Sequence, residues 1–255
     1  MQKTTGGYLA KVREVHCGAI YVTMTLLCPE AAKTAVPGQF IHIQCGDYTL
    51  RRPISIGGVA GDLLTIIFEV KGKGTKWLSK RCVGDTLDVL GPLGHGFPKN
   101  PGRVLLVGGG VGVPPMYFAA QRLPGCDALL AFRSADRAVL AEEFSLHCGA
   151  VQLMSDDGSI GKQGFAAQGA AEMLKTGSYD AVFACGPRIM LKTTYEAAKA
   201  AGVPCYVSME ERMGCGVGAC LGCSVPVRGP DGARRMKRAC ADGPVFRGEE
   251  VLWDD

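Results

Sequence analysis

Hydrophobic and polar residues change rhythm once along the chain. Up to about residue 98 the apolar positions come in short runs with partial alternation: Tyr8–Val15, Ala19–Leu27, Gln39–Gln44, Leu63–Val70 and Thr86–Leu90. These runs are rich in β-branched residues, and alternation with period two marks strands that bury one face. Gly and Pro punctuate them at Val36-Pro-Gly38, Gly57-Gly58, Gly61-Asp62 and Gly91-Pro92. Short strands at this spacing predict an antiparallel β-barrel, with room for one helix at Lys76–Arg81.

The rhythm changes at Lys99-Asn-Pro-Gly-Arg103. Compact apolar runs at Val104–Val107, Ala128–Phe132, Val151–Met154, Ala181–Ala184 and Cys205–Ser208 now alternate with helical segments. The helices are expected at Pro114–Arg122, Ala138–Phe144, Phe165–Leu174 and Arg188–Ala201. Strands apolar on both faces, with helices between them, predict a parallel, doubly wound α/β sheet. After Met209 the pattern dissolves into a Gly- and Cys-rich loop, a short strand at Ser224–Val227, a turn at Gly229-Pro-Asp-Gly232, and Cys240. Three regions result: 1–98, 99–208 and 209–255. The expected fold class is α/β plus all-β.

Composition fits this picture. Of 255 residues, 47% are hydrophobic and 20% charged, enough apolar material for two cores. A formal net charge of +4 without a long basic run gives no reason to expect a nucleic-acid partner. The N-terminal stretch Met1–Tyr8 lacks the apolar core of an export signal, and no uninterrupted apolar run is long enough to span a membrane. A soluble, cytoplasmic protein is the expectation.

Cysteine usage sharpens it. Of twelve cysteines, eight (Cys17, Cys28, Cys45, Cys82, Cys126, Cys148, Cys185 and Cys205) are scattered, and most of them suit small apolar core positions. The other four cluster in Met209-Glu-Glu-Arg-Met-Gly-Cys-Gly-Val-Gly-Ala-Cys-Leu-Gly-Cys223 and at Cys240. In a chain expected to remain in a reducing compartment, clustered Cys point to metal. The C-x4-C-x2-C…C spacing of Cys215, Cys220, Cys223 and Cys240 is that of a plant-type [2Fe–2S] site. Gly214, Gly216, Gly218 and Gly222 let such a loop turn tightly and bring amide N–H groups to the sulfurs. Tetrahedral zinc is the rival, since Cys220-x2-Cys223 is also a zinc spacing. Zinc sites usually pair two such knuckles, however, and the second is missing.

Upstream motifs suggest nucleotides. Arg51-Arg-Pro-Ile-Ser55 could present Arg52 to a phosphate, Pro53 and Ile54 to a flat ring, and Ser55 as a hydrogen-bonding group. Taken alone, the pentapeptide equally fits a surface turn with solvated arginines. Glu69-Val-Lys-Gly-Lys-Gly-Thr75 runs from a strand through a Gly loop, so that Gly74 and Thr75 stand at a helix N-terminus that could attract phosphate. Its plain alternative is a loop capped by Thr75. Val107-Gly-Gly-Gly-Val-Gly-Val-Pro-Pro115 has the strand–turn–helix setting of a dinucleotide-binding turn, although Val113 replaces its last glycine. Cys185-Gly-Pro187 and Ser155-Asp-Asp-Gly-Ser159 follow two further strands, on the edge where open α/β sheets bind ligands. The basic run Arg234-Arg-Met-Lys-Arg238 reads as a solvated face or as a docking patch for an acidic partner.

Together the Arg-Pro-Ile-Ser, Gly-Gly-Gly-Val-Gly-Val-Pro-Pro and Cys-Gly-Pro motifs resemble those of the ferredoxin-NADP reductase superfamily of flavoproteins. The Cys-rich segment, with Cys-Ala-Asp-Gly-Pro-Val-Phe246, is similar to that of electron-transfer subunits of NAD-dependent (type B) dihydroorotate dehydrogenases. Related subunits of bifurcating ferredoxin:NADP oxidoreductases and of sulfide dehydrogenases usually carry Asp at the position of Cys215. The resemblance implies FAD on the barrel, held by Arg52, Pro53, Ile54, Ser55, Glu69, Val70, Lys71, Gly74 and Thr75. It implies NAD at Gly109, Gly110, Gly112, Cys185, Gly186 and Pro187, and a [2Fe–2S] cluster on Cys215, Cys220, Cys223 and Cys240. The three regions then become an FAD-binding barrel, an NAD-binding domain and a cluster module. The implied partner is an FMN-containing catalytic subunit in a heterotetramer with two copies of each. Electrons would run from dihydroorotate to the partner's FMN, then through the cluster and FAD to NAD+, in pyrimidine biosynthesis. No catalytic acid or base is expected, because the cofactors carry the chemistry. Arg133, after the second strand of the nucleotide domain, could accommodate a 2′-phosphate, where an acid would favour NAD. The alternatives are another NAD(P)H-dependent iron–sulfur flavoprotein reductase subunit, or a zinc-stabilised nucleotide-binding regulator.

Overall fold

A computed structural model of the protein describes residues 7–254; Asp255 and the first six residues, where most of the stretch without an export signal falls, lie outside the described residues. The first half builds β1 (Tyr8–Cys17), β2 (Tyr21–Leu27), α1 (Pro29–Thr34), β3 (Phe40–Ile43), β4 (Arg52–Ala60), β5 (Leu63–Glu69), α2 (Lys73–Leu78) and β6 (Thr86–Leu93). The strands close a barrel in the order β1-β2-β5-β4-β3-β6, every pair antiparallel. Alternation drives this directly: Val22, Met24 and Leu26 of β2 point inward, where Ile41, Ile56, Ile66 and Phe118 complete the core.

The second half builds β7 (Val104–Gly109), α3 (Val113–Ala120), β8 (Asp127–Phe132), β9 (Val151–Ser155), β10 (Lys162–Gln163), α4 (Ala166–Thr176), β11 (Ala181–Cys185), α5 (Arg188–Ala200) and β12 (Cys205–Ser208). A hairpin of β13 (Ser224–Arg228) and β14 (Arg234–Arg238) follows, and then β15 (Val245–Arg247). The large sheet has the order β10-β9-β8-β7-β11-β12-β15, parallel except for β15. All six residues of β7 are buried: Val104 and Leu106 pack with Met116 and Phe144 on one face, Leu105 and Val107 with Ala170 and Leu191 on the other. Chain order reverses between β7 and β11, which makes the crevice at their C-terminal ends the switch point where such sheets bind ligands.

Three departures from the sequence pattern matter for the site. Gly57-Gly58 is not a turn but lies inside β4, at a register shift opposite β5. A Cβ on Gly57 would stand 3.3 Å from Cβ of Pro114, so the glycine lets α3 of the parallel domain lie directly on the barrel. The helix expected at Ala138–Phe144 does not form: Leu140 takes a φ of 56°, and the chain makes single 3₁₀ turns at Ala135–Arg137 and Glu143–Leu146. Full burial of Phe144 outweighs the segment's favourable helix propensity. The third is β15, unannounced by any long apolar run, which pairs with β12 and carries the C-terminal segment onto the sheet. There Val225, Ala239, Phe246 and Val251 share one core with β11 and β12.

Candidate functional site

The Arg-Pro-Ile-Ser motif opens β4, with Arg52, Pro53, Ile54 and Ser55 opposite Ile43, His42, Ile41 and Phe40 of β3. Pro53, Ile54 and Ser55 line a cavity of about 200 Å³ between the barrel and the parallel sheet. Glu69, Lys71 and Thr75 close one side of it, and Gly112, Cys185 and Gly186 close another. Arg52 stays outside the cavity lining. Its guanidinium lies over Gly74, where a Cβ would fall 2.2 Å from Nε, and 5.9 Å from the Tyr48 ring centroid. Thr75 folds the loop back on itself, its Oγ1 accepting the backbone N–H groups of Lys71 at 3.0 Å and Gly72 at 3.1 Å. Val70 is 41% exposed and lines neither this cavity nor the one beside it.

A second cavity, about 820 Å³, runs along the C-terminal edge of the sheet. Gly109, Gly110, Gly186 and Pro187 line it with Arg133, Arg137 and Asp156. The two turns pack too closely for side chains: a Cβ on Gly112 would fall 2.1 Å from the carbonyl oxygen of Cys185, and one on Gly109 2.4 Å from the Met190 sulfur. Burial pushes the Cys185 thiol up to about 12, so it remains protonated at neutral pH. The Ser-Asp-Asp-Gly-Ser motif joins the same rim, because Ser159 Oγ accepts the backbone N–H of Ala135 at 2.7 Å. Both cavities share Glu69, Lys71, Val111, Gly186 and Glu210, so occupants of the two would touch.

Glu69 bridges the two halves at this shared wall. Its carboxylate meets Lys71 at 3.1 Å and Arg137 of the parallel domain at 3.3 Å. Burial alone would raise its pKa, but the bonds from Lys71 and Arg137 outweigh burial and hold it below the ordinary value. Sequence reasoning did not single out Arg137, nor the cavity-lining group Met209, Glu210, Glu211 and Met213. The available signal was the Glu210-Glu211 pair directly after a buried strand. Burial raises the pKa of Glu211.

The cysteine loop returns from β12 to the barrel. Backbone N–H groups of Val217, Ala219 and Cys220 point at Sγ of Cys215 from 3.3 to 3.4 Å. Those of Cys215 and Gly222 point at Cys220 Sγ (3.4 and 3.5 Å), and that of Gly218 at Cys240 Sγ (3.2 Å). This amide cage, led by the Val217 N–H, brings the Cys215 thiol down to about 6. Burial, with Cys223 alongside, pushes Cys240 up to about 12. Gly216 and Gly218 take φ of 73° and 84°, which is where glycine is required. Among the described residues no three His, Cys, Asp or Glu side chains gather to hold one ion. Instead the sulfurs meet in pairs: Cys223 and Cys240 lie 3.2 Å apart, and Cys215 and Cys220 each accept the other's backbone N–H at 3.4 Å. Two cysteine pairs within an amide cage fit a two-iron cluster, which would bind them as thiolates.

Arg238 secures the loop. It donates to Asp242 through Nε at 2.7 Å and Nη2 at 2.8 Å, and through Nη1 to the Gly218 carbonyl at 3.0 Å. The rest of the basic run is largely paired too, Arg235 with Asp231 and Lys237 with Glu250, both at 2.8 Å.

On the barrel side, His42 lies beneath the loop with none of its surface exposed. Burial and the neighbouring Arg51 guanidinium bring its ring down to about 4, hence neutral at physiological pH.

Comparison with known proteins fits this geometry. The family described as the iron–sulfur cluster binding domain of dihydroorotate dehydrogenase B matches residues 210–252. The electron transfer subunit of dihydroorotate dehydrogenase B (NAD(+)) from Caldanaerobacter subterraneus subsp. tengcongensis is 42% identical over 219 residues, covering 85% of this chain and 87% of that one. Its counterpart from Desulforamulus reducens is 38% identical over 263 residues, covering 96% and 100%. Among solved structures, the NADH-dependent reduced ferredoxin-NADP oxidoreductase, studied for flavin-based electron bifurcation, superposes with a TM-score of 0.87 at 33% identity, over 98% of this chain and 92% of the other. The ferredoxin reductase of carbazole 1,9a-dioxygenase shares the fold, with a TM-score of 0.64 at 22% identity over 78% of this chain and 66% of the other.

Proposed function

We propose, from the premise that this chain belongs to the family of dihydroorotate dehydrogenase B electron transfer subunits, that electrons enter it at the cysteine loop and leave it at the nucleotide cleft. It is an oxidoreductase subunit that works with FAD, a [2Fe–2S] cluster and NAD, and it serves a catalytic partner that oxidises dihydroorotate to orotate. The observation that carries the reading is the adjacency of the two cavities and the amide-caged cysteines within one chain.

Each group of residues has its part. Arg52, over Gly74 at the start of α2, supplies the cation for a diphosphate. Pro53, Ile54 and Ser55 face the flavin ring, while Glu69, Val70, Lys71 and Thr75 hold the adjoining loop. Gly109, Gly110 and Gly112 let a dinucleotide approach the backbone, and Cys185, Gly186 and Pro187 seat its nicotinamide end against the flavin cavity. Cys215, Cys220, Cys223 and Cys240 ligate the cluster. When bound, flavin and cluster together convert the two-electron exchange of nicotinamide into single-electron steps. The protein binds, orients and shields, and no side chain is assigned as catalytic acid or base.

The finer assembly belongs to the same reading. The partner carries FMN, two copies of each subunit form the complex, and the complex is cytoplasmic. Among the described residues no helix is long and apolar enough to cross a membrane. Val217 and Leu221, 57% and 63% exposed beside the exposed Cys220, offer the apolar surface on which the partner would close over the cluster. The barrel (1–98), nucleotide domain (99–208) and cluster module (209–255) are its working parts.

Anaerobic purification tests this. Flavin bands with a broad iron–sulfur shoulder, bleached by NADH, are expected, along with NADH-to-dye activity and co-purification with the partner. Robust dihydroorotate oxidation by the isolated chain, or a colourless protein containing zinc, would sink the reading.

A further inference from the structure

His42 is an anomaly that the assigned sites leave unexplained. It is completely buried, and among the described residues neither Nδ1 nor Nε2 makes a hydrogen bond of good geometry, although backbone groups of Arg51 and Cys215 approach the ring closely enough to favour its charged form. Buried polar groups are nearly always satisfied, and a ring this incompletely bonded takes its partners from the backbone laid against it. Its surroundings show which backbone that is. A Cβ on Gly216 would fall 2.4 Å from Nδ1, so the cysteine loop is laid directly on the imidazole. Two needs therefore fall on Gly216: its φ of 73° and the space taken by the ring.

The backbone at His42 is also fixed. Arg51 bonds Asp88 at 2.8 Å, and its Nη1 reaches the carbonyls of Asp88 and His42 at 3.1 and 3.4 Å. On the other side, the β-register partner of His42 is Pro53, which lines the flavin cavity, as does Phe40 two residues earlier on the same strand. One short strand thus touches the flavin cavity and the cysteine loop at once.

We propose that His42 is a positioning residue for the cluster: the barrel holds its ring nitrogen for the Cys215–Gly216 segment and the [2Fe–2S] group which that segment carries, fixing the cluster relative to the flavin cavity. The proposal rests on the reading that the cysteines ligate a cluster and the barrel holds FAD. It adds a residue outside both ligand sets. Asn and Leu have nearly the same shape but only Asn keeps a polar group near Nδ1, so His42→Asn and His42→Leu separate polarity from volume.

The experiment uses the full chain, loaded with FAD and cluster, anaerobically and without the partner. If the unsubstituted chain lacks a flavin or iron–sulfur spectrum, the underlying reading fails and His42 is not at issue. If it has both, three quantities are compared: the EPR g-values of the reduced cluster, its midpoint potential, and the rate of cluster reduction after NADH addition. For His42→Leu, shifted g-values, a shifted potential and at least a fivefold slower reduction are expected, with His42→Asn recovering most of each. Loss of cluster loading in the Leu variant alone counts as support. If the two variants behave alike, whether both impaired or both normal, the ring nitrogen has no such role and the proposal is overturned.

Discussion

Arg137, in the turn after β8, reaches Oε1 of Glu69 at the end of barrel strand β5 across a gap of 3.3 Å, tying the two large domains together where their cavities meet. Both partners are partly exposed, at 36% and 19%, so the pair contributes at most about 1 kcal/mol to stability. Arg137 also lines the larger cavity, proposed to take the nucleotide, where a charge-assisted bond to a phosphate would contribute roughly twice as much as a neutral one. Arg137→Ala should therefore raise KM for NADH about tenfold while moving the melting temperature by only a few degrees. Steady-state kinetics with a dye acceptor, beside a thermal melt, check the split.

The same pair has a pH signature. The pKa of Glu69 is lowered in the folded protein, so its contribution is complete above its ordinary value of 4.5 and is lost as pH falls through the lower folded value. The stability difference between the native chain and Glu69→Gln should be constant from pH 8 to 5 and shrink only below about 4.5. Urea melts of the cluster-free chain across that range measure it. A difference that grows on acidification would contradict the assignment.

Gly110 and Gly112 sit two residues apart yet should respond differently to Ala. A Cβ on Gly110 meets nothing within 4 Å, and only its φ of 53° is unfavourable, a cost of about 1–2 kcal/mol. A Cβ on Gly112 would fall 2.1 Å from the Cys185 carbonyl oxygen, which is backbone and cannot swing away. Gly112→Ala should therefore cost more, up to about 3 kcal/mol, and displace the Cys185-Gly-Pro187 turn. Thermal melts rank the two, and NADH titration should show the larger loss of affinity for Gly112→Ala.

Much of this architecture was legible because it follows from local periodicity. The barrel strands, the parallel sheet and the cysteine spacing each rest on residues close together in sequence. What stayed hidden depends on distant partners. Gly57-Gly58 looks like a turn until α3 is placed on it, and Ala138–Phe144 has helical composition until Phe144 is pulled into the core. His42 sits in an ordinary strand pattern, Phe-Ile-His-Ile, and only the return of Gly216, far along the chain, reveals that the cysteine loop lies on its ring. A role that depends on adjacency across domains, such as that of Arg137, leaves no mark in spacing.

Coenzyme choice offers a direct test of one such residue. The chain is homologous to NAD(+)-linked subunits, yet Arg133 follows β8 on the rim of the nucleotide cleft, where an acid would favour the unphosphorylated ribose. Arg133→Asp should raise the NADH-to-NADPH ratio of kcat/KM by about tenfold, equivalent to about 1.4 kcal/mol. The change should come mainly from weakened NADPH use. An unchanged ratio would show that Arg133 does not read the ribose.

Arg238 and Asp242 should prove unequal partners. Their ion pair is about one-third exposed at each end, so the pair itself is worth little more than a surface bridge. Arg238 also donates to the Gly218 carbonyl, whose own residue points its N–H at Cys240 Sγ, so the guanidinium holds the cysteine loop onto the turn bearing Cys240. Asp242→Asn keeps an acceptor for Arg238 and leaves that bond in place. Arg238→Met removes the loop contact and leaves the Asp242 carboxylate, held near 2 mainly by its bonds to Arg238, without its cation. The expected order of cluster lifetime in air is native, then Asp242→Asn, then Arg238→Met, with the last at least threefold shorter than the second. Flavin content should be equal in all three, because neither residue touches the barrel cavity. Iron release followed at constant flavin absorbance measures both quantities in one sample. Equal lifetimes for the two variants would mean that the Gly218 contact does not hold the loop.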